Sequence, residues 1–156
     1  MVKQAFHLEG GALIMTAKIL VVEDNLDMQR FICDIVRTVR DDVAVDFVND
    51  GTSALIYLEG EAPTLVITDL LMPGISGLDL IRKVHELHGM TYVRFMLVTG
   101  GLTTDFVRDL SEADIKSKFG CVVVRKPFRP AYLRQAVLNL LKEVEDAHRS
   151  LDSSLT

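Results

Sequence analysis

Five short apolar runs punctuate the chain, at residues 19–22, 43–48, 65–68, 95–98 and 122–124. All are rich in Val and Ile, whose branched side chains suit a pleated surface, so each predicts a strand. Between them the apolar positions recur at intervals of three and four instead. Met28, Phe31, Ile32, Ile35, Val36 and Val39 share one face of a first helix, and Leu80, Ile81, Val84 and Leu87 one face of a third. Tyr132, Leu133, Ala136, Val137, Leu140, Leu141 and Val144 form the longest stripe, behind Pro130 at a first helical turn. Weaker helical spacing over 52–58 and 104–118 supplies the second and fourth helices. Strands alternating with helices in this way predict an α/β fold. Its form is three-layered and doubly wound, a five-stranded parallel sheet with five helices on its two faces, joined by right-handed crossovers.

The pattern also sets boundaries. Residues 17–146 read as one domain, residues 1–16 as an N-terminal extension outside the fold, and residues 147–156 as a polar tail. Met15 just before the first periodic element suggests that the extension reflects the choice of start site. After Glu145 the sequence DAHRSLDSSLT lacks an apolar face and is expected to fray.

Composition narrows the function classes. At 156 residues, 49% hydrophobic and 25% charged, the chain has the makeup of one globular domain with a sizeable core. A net charge of −5 argues against nucleic-acid or anionic-membrane partners, which need clustered Lys and Arg. No apolar run approaches the about 18 residues of a membrane span, and the short ALIM run near the N-terminus is too weak for a signal peptide. A cytoplasmic location is expected. Cys33 and Cys121 stand alone, with no CxxC and no His at metal spacing, and read as buried free thiols in a reducing compartment.

Chemistry gathers where the strands stop. The first strand runs into Glu23-Asp24, the third into Asp69, the fourth into Thr99 and then Gly100-Gly101, the fifth into Lys126-Pro127. In an open parallel sheet these ends share one edge, where α/β proteins bind ligands. Taken singly, each residue has an ordinary explanation. Glu23-Asp24-Asn25 could cap the first helix, Thr99 could be a strand residue, and Lys126 could be a solvated surface side chain. Their common position calls for more. Three clustered carboxylates repel one another unless a cation intervenes, and an all-oxygen set with room for water suits Mg²⁺, with Mn²⁺ a possible substitute. Such an ion beside a free carboxylate and a fixed ammonium forms a receptor for a phosphoryl group attacked in line by the carboxylate.

The motifs ILVVEDN, LVITDLLMPGISG, the Thr99 strand end and VRKPF together resemble the receiver domains of response regulators, the phosphoacceptor modules of two-component signalling. The resemblance runs from about Lys18 to Glu145 and is nearest to the single-domain, chemotaxis-regulator type. It implies the flavodoxin-like strand order 2-1-3-4-5. It also implies that Asp69 accepts a phosphoryl group from a sensor histidine kinase or histidine phosphotransfer protein. Glu23 and Asp24 would position Mg²⁺, with Asp24, Asp69 and the Leu71 carbonyl as ligands. Lys126 would pair with Asp69 and then with the phosphoryl oxygens, and Thr99 would hydrogen-bond the new group. A cis peptide before Pro127 would orient Lys126, while Pro73, Gly74 and Gly77 would shape the loop beside Asp69. The implied role is a stand-alone phosphorelay switch acting on a downstream protein, not an enzyme toward other substrates. The face of the fourth helix, fifth strand and fifth helix would serve for pairing as a homodimer.

Some positions depart from the family pattern. Val123 stands where an aromatic ring usually turns inward as Thr99 shifts, so the usual switch lacks its ring. Gly100 and Gly101 should loosen the following loop, which points to signalling through reordering of that loop and the next helix. Leu71 and Gly101 carry no side chain able to position an attacking water, which implies a long-lived phosphoryl state. A phosphatase resembling the haloacid dehalogenases would need a second Asp where Leu71 stands. The remaining alternatives are a receiver cut from a longer regulator and a degenerate receiver that acts by binding partners.

Overall fold

The computed structural model describes residues 6–9, 12–87, 93–100 and 111–154. Five parallel strands form the central sheet: β3 (Ala17–Val22), β4 (Val43–Val48), β5 (Leu65–Asp69), β6 (Arg94–Thr99) and β7 (Val122–Arg125). Their spatial order is β4-β3-β5-β6-β7, which is 2-1-3-4-5 when the five are counted along the chain. All five predicted strands form, most of them a residue or two longer than their apolar runs.

The inner strands β3, β5 and β6 look continuously apolar because both faces of the sheet are covered there, while the edge strand β4 leaves Phe47 54% exposed. Along each strand the side chains still alternate. Ala17, Ile19, Val21, Leu65, Ile67, Met96, Val98 and Val124 enter one core with α1 (Leu26–Arg37) and α5 (Pro130–Ser154). Leu20, Val22, Val66, Phe95, Leu97 and Val123 enter the other, against α2 (Gly51–Gly60), α3 (Gly77–Glu86) and α4 (Glu112–Phe119). Each fully buried Leu or Ile contributes about 1.5–3 kcal/mol of transfer free energy. Arg40, in the connection between α1 and β4, ties that segment to α5, reaching Glu145 at 2.6 Å while gripping Asp42 at 2.8 and 2.9 Å.

Several sequence expectations change. Phe31 and Tyr132, assigned to core stripes, are 41% and 60% exposed. Phe31 lies at the margin of its helix face and stacks instead on Phe128, with ring centroids 5.8 Å apart. The fourth helix, expected from 104, is described from Glu112, where a Ser111–Asp114 capping box starts it. Residues 104–110, and Gly101 with them, lie outside the described residues. Within 1–16, where no element was predicted, Phe6–Glu9 and Ala12–Met15 pair as an antiparallel hairpin (β1 and β2) in a sheet of its own. The polar segment after Glu145 does not fray at once, because α5 continues to Ser154. No Gly or Pro interrupts it, and Arg149 pairs with Asp146 one turn back at 3.9 Å.

Candidate functional site

The register of the sheet builds the site. Val22 lies opposite Thr68, so the next residues along, Glu23 and Asp69, leave the sheet side by side. Asp69 lies opposite Val98, which brings Thr99 one step beyond it. Thr99 lies opposite Arg125, which carries Lys126 one step further still. The Lys126 amide donates to the Thr99 carbonyl at 2.8 Å, and a cis Lys126–Pro127 peptide follows.

Carboxylate oxygens of Glu23, Asp24 and Asp69 all lie within 4.8 Å of one another. The Lys126 ammonium bridges two of them, donating to Glu23 Oε2 at 3.0 Å and to Asp69 Oδ2 at 3.2 Å. The other Glu23 oxygen accepts from the Asn25 amide at 3.1 Å, and Asp69 Oδ1 accepts from the Leu71 amide at 3.3 Å. The ambiguity of Glu23-Asp24-Asn25 resolves here. Asn25 alone caps α1, its side chain accepting from the Met28 amide at 2.9 Å. The two acids before it are left for the cluster.

Electrostatics follow burial. The Glu23 side chain is 1% exposed, and its loss of water pushes the carboxyl above the usual range against the pull of Lys126; the Asp69 charge adds to the rise. Burial alone would lower the Lys126 ammonium. Its hydrogen bond to Glu23 and the charges of Asp69 and Glu23 outweigh that and raise it. One ammonium faces three carboxylates, so the cluster keeps an excess of negative charge for a cation to neutralise. Its donors are all oxygens and Asp24 is exposed, which fits a hard ion that keeps part of its water, such as Mg²⁺.

The remaining candidate residues frame this cluster. Thr99 is fully buried at the end of β6, and Leu71 is 45% exposed on the rim. Gly77 opens α3 directly under Asp69, where a Cβ would collide with the Asp69 carbonyl oxygen. Gly74 supplies the positive φ of +81° in the turn after Pro73. Gly100 has no positive φ, and among the described residues no heavy atom lies within 4 Å of its would-be Cβ. Val123 is buried, and a cavity of about 340 Å³ lies along Val123, Arg125, Pro127, Phe128 and Tyr132.

Sequence reasoning missed Gln29. It sits on the buried face of α1 with Ile32, Cys33 and Val36, and its amide donates to the Glu23 carbonyl, the Val48 carbonyl and Asn49 Oδ1. A polar residue in phase with an apolar stripe was the available signal.

Comparison with known proteins bears on the family and the fold. The family profile of the response regulator receiver domain matches residues 19–138. The chain is 33% identical over 124 residues to the sensor histidine kinase TmoS of Ectopseudomonas mendocina, covering 80% of this chain and 12% of that protein. It is 33% identical over 133 residues to the DNA-binding response regulator MtrA of Mycobacterium tuberculosis, covering 85% of this chain and 54% of the relative. The chain thus spans about an eighth of the first and about half of the second. It is 29% identical to the chemotaxis protein CheY of Pseudomonas aeruginosa, over 81% of this chain and 98% of that one. Among solved structures, the signal receiver domain of a LuxO-type repressor protein from Vibrio parahaemolyticus superposes with a TM-score of 0.73. It is 19% identical and covers 87% of this chain and 98% of its own.

Proposed function

The chain belongs to the response-regulator receiver family, a family of signalling domains, and on that premise we propose that Asp69 is its phosphoacceptor. The observation that carries this reading is the Asp69 carboxylate held between Lys126 and the Leu71 amide, beside two further acids. An oxygen of Asp69 attacks the phosphorus of a phosphohistidine presented by a histidine kinase or phosphotransfer protein. The P–N bond breaks, a P–O bond forms, and the imidazole leaves with the electron pair and takes up a proton. Asp24, Asp69 and the Leu71 carbonyl would hold Mg²⁺, with Glu23 positioning it. The ion supplies charge neutralisation for the phosphoryl oxygens.

The chain's own residues do the rest. Lys126 orients the Asp69 carboxylate and passes its hydrogen bond to a phosphoryl oxygen as the new bond forms. Thr99, at the end of β6, offers a hydroxyl to another. The close packing of Gly77 under the Asp69 carbonyl keeps the acceptor from shifting during attack. The role is a cytoplasmic signalling switch that reports its phosphorylated state to a protein target, with homodimer pairing through the face of α4, β7 and α5.

Incubation with acetyl phosphate, followed by intact mass, tests the reading. The protein should gain one phosphoryl group in the presence of Mg²⁺ and lose that capacity in Asp69→Asn. Modification that persists in Asp69→Asn, or that ignores Mg²⁺, would overturn it.

A further inference from the structure

Gln29 is 3% exposed on the core-facing side of α1, where an amide is costly unless its hydrogens are bonded. All three of its acceptors lie at the carboxyl ends of β3 and β4: the Glu23 carbonyl at 3.1 Å, the Val48 carbonyl at 3.2 Å and Asn49 Oδ1 at 2.8 Å. Two N–H groups serve these three oxygens, so one is shared. The Val48 carbonyl also accepts the Glu23 amide at 3.3 Å. The Glu23 residue is therefore held through its N–H by β4 and through its C=O by Gln29.

We infer that Gln29 is a positioning residue for the ion-binding turn, fixing the peptide between Glu23 and Asp24 and so the direction in which the Asp24 carboxylate points. The inference rests on the reading of the acidic cluster as a Mg²⁺ site. The peptide in question is followed by the Asn25 cap, whose amide returns to Glu23 Oε1. Asp24 therefore sits between two anchored peptides, and its exposed side chain takes its position from them. An apolar residue at position 29 would fill the same core space, but it would leave the Glu23 carbonyl without this donor. Partners that orient metal ligands in this way typically change ion affinity about tenfold or more when removed.

The test uses the full chain and Mg²⁺ alone, with Gln29→Met as a variant of similar shape that lacks donors. Asn49→Ala removes one of the three anchors from outside the core, and Val144→Ala weakens the core away from the turn. Titration calorimetry should show the Mg²⁺ Kd rising about tenfold in Gln29→Met and less in Asn49→Ala, with no change in Val144→Ala. Without metal, amide exchange at Asp24 and Asn25 should quicken in the first two variants only. If Gln29→Met does not fold, Asn49→Ala decides alone. Unchanged affinity and exchange in the folded variants would overturn the inference. Should the wild-type protein itself bind no Mg²⁺, the reading of the site fails, while the exchange data still judge the role of Gln29.

Discussion

Gly77 and Gly100 both flank the site, yet among the described residues only Gly77 has close neighbours. A methyl group at Gly77 would collide with the Asp69 carbonyl oxygen and press Leu97 at 3.0 Å. Gly77→Ala should therefore cost about 1–3 kcal/mol of stability, as overpacked positions do, and shift the acceptor. Among the described residues nothing stands within 4 Å of a Cβ added at Gly100, and its φ is not left-handed, so Gly100→Ala should stabilise by about 0.4–1 kcal/mol through the unfolded chain. Thermal unfolding of the two variants checks both; equal effects would contradict this account. The same contrast bears on what the sequence reveals. Glu23, Asp24, Asp69, Thr99 and Lys126 were legible as a group because a parallel sheet sends successive strand ends to one edge. Gln29 was not, because two of its partners are backbone carbonyls, which leave no trace in side-chain identity. Phe31 was misplaced because helical phase alone does not tell the centre of a buried face from its margin.

Among the elements, α4 is the one whose behaviour the site should control. It is the next described element after β6, and its Ile115 and Phe119 are buried in the same core as Val123. Val123 has no ring to swing, and the cavity beside it leaves room at the junction of β7 and the start of α5. Signal transmission is therefore expected to alter α4 itself. Amide exchange over Glu112–Phe119 should change when beryllofluoride occupies the acceptor, and unchanged protection would refute this route. Element types were readable because the strands gave short Val- and Ile-rich runs and the helices gave stripes at intervals of three and four. The two ends were harder. The hairpin at Phe6–Glu9 and Ala12–Met15 has too few residues to establish a period, and the last turns of α5 have no apolar stripe to announce them.

At the scale of the molecule, stability should fall in alkali. Burial raises the Cys121 thiol from 9.0 to about 11. Burial and a hydrogen bond to Asp46 raise the Tyr57 hydroxyl from 10.0 to about 12. Both groups ionise more readily in the unfolded chain, so folding retains protons and stability drops as pH rises between the unfolded and folded values. Lys18, raised to about 12 chiefly by its bond to Glu61, acts in the same direction, since its contribution is lost as pH passes through the folded value. Denaturant midpoints should be steady near neutrality and decline from about pH 9 upward. A midpoint that rises across that range would contradict the assignment.

The proposed phosphoryl transfer turns on which carboxylate reacts. After exposure to acetyl phosphate with Mg²⁺, borohydride reduction converts an acyl phosphate into an alcohol at the acceptor residue, and peptide mass spectrometry locates it. The alcohol is expected at residue 69. Reduction at Glu23 or Asp24, or an unmodified residue 69 in a protein that has taken up phosphate, would contradict it.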